Sequence, residues 1–92
     1  MNTKAYEAFQ LAKESHDKMK LDPVAAKQMI GQAQNKLGQI IAEAEKSKRQ
    51  DLAGFATSAA SFVDSMAKAE RYTSVYEGTL TTLERHASGV AD

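Results

Sequence analysis

The sequence predicts an all-α protein, and three observations carry the prediction. Apolar residues recur in steps of three and four over most of the chain, the signature of a helix face rather than of a strand with its period of two. Ala, Gln, Glu, Lys, Leu and Met dominate, and only one Pro and five Gly interrupt them. At 92 residues the chain has the length of one small domain, so it is read as a single helical unit over residues 1–92. The expected architecture is an antiparallel three-helix bundle, or a kinked helical hairpin with a long C-terminal helix, completed by homodimerisation.

The first helix is expected over residues 3–20, with Ala5, Phe9, Ala12, His16 and Met19 on one face. Asp22-Pro23 opens the second: Asp caps free amides, and Pro suits the first helical position because its missing amide needs no partner there. Leu21, just before that cap, is placed to pack on Ala26 as a hydrophobic staple. The second helix runs over 23–48 on Ala26, Ile30, Ala33, Leu37, Ile40 and Ala44. The stripe then slips out of register between Ala44 and Leu52, which marks a turn in the polar stretch Glu45–Gln50.

From Leu52 the steps select Phe55, Ala59, Phe62, Met66, Ala69, Thr73, Tyr76, Leu80, Leu83 and Ala87, a long third helix over 51–87. Asp51 reads as its N-cap and Ser88-Gly89 as its stop. The three helices then measure about 27, 39 and 55 Å. If the first folds back on the second, the third overhangs both. If the first two form one kinked arm, the arm nearly matches the third. The heptad runs unbroken across Asp22-Pro23, which favours the arm; the outward positions of Leu21 and Val24 oppose it.

Tyr6, Met29, Ile41, Val63 and Tyr72 widen the stripe beyond what a two-helix seam requires. A second copy of the chain covering that surplus is the expected partner, with Phe62, Met66, Tyr72, Tyr76, Leu80 and Leu83 as candidate interface residues. Gly31 and Gly38, seven apart on one face of the second helix, suggest a helix passing close by.

Twelve basic and twelve acidic residues give no net charge, which excludes the basic excess of a nucleic-acid binder. Residues 1–50 hold nine basic and six acidic groups, residues 51–92 three and six, so complementary arms are expected. The absence of cysteine removes disulfides, thiolate metal sites and Cys nucleophiles. His16 and His86 stand without Glu-x-x-His or His-x-x-x-His spacing, so neither a metal nor a cofactor is expected. His16 on an apolar face reads first as a core histidine and second as a titratable group of a ligand-binding bundle. His86 falls in a last helical turn, where an imidazolium meets the helix dipole well. The cations of Lys46-Ser47-Lys48-Arg49 read as a solvated tip flanked by Glu43, Glu45 and Asp51.

No nucleophile elbow, Walker loop or dinucleotide turn is present, so the expected function is non-catalytic. The leading expectation is a cytoplasmic protein–protein interaction module: an adaptor, chaperone-like or assembly subunit acting through apolar helix faces. No apolar run approaches the ~20 residues of a membrane span, and Met1–Glu7 lacks the apolar core of a signal peptide. The alternative is a leaderless secreted helical-hairpin protein, although the chain has no Trp for a Trp-x-Gly turn and no Tyr-x-x-x-Asp/Glu signal after Tyr72 or Tyr76.

Overall fold

The first helix, α1, runs over Thr3–Leu21 in the computed structural model, which describes residues 2–69 and 74–92. Asn2 caps it, its Oδ1 accepting from the Ala5 amide at 3.0 Å. Asp22 then does two jobs. Its amide donates to Lys18 O (2.7 Å), closing α1, and its Oδ1 and carbonyl accept from the Ala25 and Ala26 amides, opening α2 (Pro23–Ser47). One extended residue therefore reverses the chain. Lys4 Nζ lies 2.9 Å from Glu43 Oε2 and Lys36 Nζ 3.1 Å from Glu7 Oε2, so α1 and α2 are antiparallel neighbours. The first helix folds back and the kinked arm is excluded. Leu21 is 81 % exposed, so it does not staple onto Ala26.

The second reversal is a Schellman turn. Lys48 adopts the left-handed conformation (φ 57°), its amide donates to Glu45 O, and the Arg49 amide donates to Ala44 O. The third helix, α3 (Gln50–Lys68), then descends antiparallel to α2, with Gln34 Nε2 donating to Asp64 Oδ1 at 3.0 Å. Its N-cap is Arg49 rather than Asp51, which lies in the first turn.

The long third helix is not formed. At about 55 Å it would exceed the longest dimension of the molecule, 37 Å. Instead α3 closes at Ala69, whose amide donates to Ser65 O and Met66 O, and a fourth helix, α4, runs over Val75–Gly89. Ser74 suits a helix start better than a helix interior, because its hydroxyl competes for nearby backbone groups. Ser74 and Glu77 have the spacing of a capping box, but the Ser74 side chain makes no cap bond; its carbonyl accepts from the Glu77 amide at 3.1 Å in the first turn. The apolar steps of three and four continue across the break, so periodicity alone concealed it.

α4 returns antiparallel to both α3 and α1. Tyr76 Oη donates to Ser65 O (3.3 Å), and His86 stands edge-on to Phe55 with ring centroids 5.5 Å apart. Lys20 Nζ lies 3.9 Å from Glu77 Oε1, while at the other end the Asn2 amide donates to Val90 O at 2.9 Å. Among the described residues the architecture is an up-down-up-down four-helix bundle.

Each stripe is as wide as its helix has neighbours. α2 touches α1 and α3 and buries one heptad row: Ala26, Ile30, Ala33, Leu37, Ile40 and Ala44. α1 and α3 each approach three helices, including one another across the bundle. α1 accordingly adds Ala8 and Ser15 to its row, and α3 adds Ala56 and Val63. Alanine at Ala5, Ala8, Ala12, Ala56 and Ala59, all without exposed surface, suits close approach along that diagonal. Phe55, Leu37 and Met66 are the largest apolar side chains fully enclosed, each contributing about 1.5–3 kcal/mol by leaving water.

Candidate interaction groove

The interior and the surface divide the expected site residues unequally. Phe62, Met66, Leu80 and Leu83 are 1–7 % exposed, inside the core of a single chain. Tyr76 is half-buried beside them, its ring perpendicular to Phe62 at 5.3 Å. Tyr72 lies outside the described residues. Phe62, Met66, Leu80 and Leu83 are thus covered within one chain, where α4 packs on α1 and α3. Val63 is fully buried, and Tyr6 and Ile41 pack partly buried against the core.

Apart from their own helix, no described residue places a heavy atom within 4 Å of the position a Cβ would occupy at Gly31 or Gly38, so among the described residues no other helix packs against them. The basic tip is organised rather than merely solvated: the Arg49 guanidinium grips Asp51 through Nε–Oδ1 (3.3 Å) and Nη2–Oδ2 (2.8 Å). This pairing raises the Arg49 pKa and holds the Asp51 carboxyl below its usual value, the hydrogen bond being the largest cause of each.

His16 is 1 % exposed on α1. Its Nδ1 lies 3.6 Å from Asp17 Oδ1, and its ring meets Tyr76 edge-on at 6.1 Å. Among the described residues no three His, Asp or Glu side chains are arranged to hold a metal ion. His86 is exposed in the last turn of α4.

What His16 does border is a groove. Where α4 lies along α1, a cleft of about 200 Å³ is lined by Phe9, Lys13, His16, Asp17, Glu77, Leu80, Thr81 and Glu84. A second cleft of about 280 Å³ continues it past Tyr6, Gln10 and Glu14, sharing Phe9, Lys13, Asp17 and Glu84. Phe9 and Leu80, 2 % and 7 % exposed, form an apolar floor. Glu14, Asp17, Glu77 and Glu84 supply four carboxylates along the walls, against the single lining ammonium of Lys13. At one mouth, where Lys20 meets Glu77, α1 ends in exposed Leu21 and α4 begins with exposed Val75. Val24, at the start of α2, is exposed at the same end.

Sequence reasoning missed this groove because its walls lie 60 to 78 residues apart and meet only when α4 turns back. The spacing of Ser74 and Glu77 was the available signal. No protein-family profile, no curated protein and no solved structure matches the chain.

Proposed function

We propose that the chain is a non-catalytic protein–protein interaction module whose α1–α4 groove receives its partner. The observation that supports this is the groove's composition, an apolar floor on Phe9 and Leu80 between charged walls and beside exposed Leu21 and Val75. Recognition surfaces combine a desolvated apolar centre with a polar rim in this way. No helix among the described residues is long and apolar enough to cross a membrane, in keeping with work at a protein surface.

The test is a photo-crosslinker placed at Thr81, on the groove, or at Asn35, on the far face of α2, in cells that make the protein. Adducts from Thr81 and none from Asn35 are expected. No adduct from Thr81, or equal adducts from both, would overturn the reading.

Self-association is a second reading, favoured by the gathering of Leu21, Val24 and Val75 at one end. With a cross-section of 21 × 18 Å, that end face offers roughly 300 Å², against ~800 Å² per partner in a standard interface. A homodimer built there is weak and dilution-sensitive. Sedimentation of the chain with Leu21, Val24 and Val75 all changed to Ser tests it: association that survives the changes contradicts it.

A further inference from the structure

We infer that the occupant of the α1–α4 groove is a cationic amphipathic helix of a partner protein, an inference that rests on the interaction-module reading. Three features of the groove set the chemistry of what fits it.

The first is charge. The α1–α2 seam is strapped by Lys4–Glu43 and Lys36–Glu7, and the α2–α3 seam by Gln34–Asp64. Along α1–α4 the ion pair between the helices is Lys20–Glu77, close to one mouth. Farther along, Glu14 and Glu84 make no ion pair among the described residues. A groove that keeps carboxylates unneutralised, in a chain with as many cations as anions, presents a local negative field to a basic partner. The same field repels an anionic lipid surface and a nucleic-acid backbone.

The second is the floor. Phe9 and Leu80 lie between the acidic walls, so the partner needs an apolar edge flanked by cations rather than charge alone. Exposed Leu21 and Val75 prolong that apolar line at the mouth. The third is shape. Two antiparallel helices bound a straight furrow, and its lining from Tyr6 to Asp17 of α1 makes it about 17 Å long. A helix of about three turns fills such a furrow through apolar anchors spaced i, i+3, i+4 and i+7.

The experiment titrates the full chain with a fluorescent peptide of about 15 residues, Leu and Lys patterned so that the leucines share one helical face. Controls are the same pattern with Glu for Lys, the same composition shuffled, and spermine. Backbone amide shifts map the site. Binding of the patterned Leu/Lys peptide is expected, at least roughly tenfold tighter than any control and weakening with salt. Shifts are expected at Lys13, Glu14, Asp17, Thr81 and Glu84. The double charge reversal Glu14→Lys with Glu84→Lys, both on exposed positions, weakens binding roughly tenfold or more without changing the melting curve, and Asn35→Lys leaves it unchanged.

Failure of the patterned peptide to bind, equal binding of a control, shifts centred on α2, or indifference to the double reversal would each overturn the inference. If crosslinks still form at Thr81, the interaction-module reading stands and only the chemistry of the partner is wrong. If they do not, both fall together.

Discussion

Arg49 Nη2 donates to the backbone carbonyl of Ala91 at 2.6 Å, joining the α2–α3 turn to a residue 42 positions along the chain. The same carbonyl accepts from Asn2 Nδ2 at 3.3 Å. The cap of α1, the Schellman turn and the tail after α4 therefore meet at one end of the bundle. The opposite end carries the exposed Leu21, Val24 and Val75. α4 is held by this knot, by its core residues Leu80, Leu83 and Ala87, and by contacts to α1 and α3, while α2 stands across the diagonal.

Arg49→Ala should release the tail and lower the urea midpoint. Arg49→Lys should recover little of the loss, because an ammonium cannot fork across Asp51 and reach Ala91 in one geometry. Amide exchange should speed up more in α4 than in α2. Equal acceleration in both would show that the tail does not secure α4.

The pH dependence follows from the Asp51 carboxyl, whose folded pKa lies below its ordinary 3.8. Its contribution is fully present above the unfolded pKa and is lost as pH falls through the lower folded value. Urea melts from pH 7 downward should lose this share of stability below about pH 4. Asp51→Asn should be less stable at neutral pH and should show a shallower acid slope. An unchanged slope would remove the pairing from the account.

Lys48 holds a left-handed conformation at φ 57°, which costs an L residue about 1–2 kcal/mol. Lys48→Gly relieves the strain but adds freedom to the unfolded chain. The net gain should be about 0.5–1 kcal/mol, a rise in Tm of roughly 2–8 °C. Lys48→Val should lower Tm, since a β-branched side chain fits this conformation worse.

Leu83 is 4 % exposed inside one chain, so Leu83→Ala should cost about 3 kcal/mol. As a core residue it should shift the midpoint equally over a roughly hundredfold range of protein concentration. A loss that shrinks as concentration rises would return Leu83 to an interface between copies.

Much of the bundle could be read from the residues alone. Asp22-Pro23 marked the start of α2, because Asp caps and Pro fits the first helical position, while the heptad's passage across it left reversal and kinked arm both open. The heptad positions of α1 and α2 are all buried, with Ala8 and Ser15 added on α1. Leu80, Leu83 and Ala87 were also rightly chosen as apolar-face residues. Their helix was wrongly joined to α3, because a stripe in steps of three and four survives when the chain reverses and repacks in phase. The groove was hidden for a related reason: Glu14 and Glu84 become neighbours only through that reversal. Gly31 and Gly38 misled in the other direction, since a missing side chain marks room for a neighbour without supplying one.

The return of α4 along α1 builds the groove, and a distance between nitroxide labels at Thr3→Cys and Ser88→Cys tests it most directly. Both positions flank the 2.9 Å hydrogen bond from the Asn2 amide to Val90 O, so the separation should not exceed about the 21 Å cross-section. A continuous helix from 51 to 87 would carry Ser88 to the far end, about 55 Å away. A distance near that value would contradict the bundle, and with it the groove.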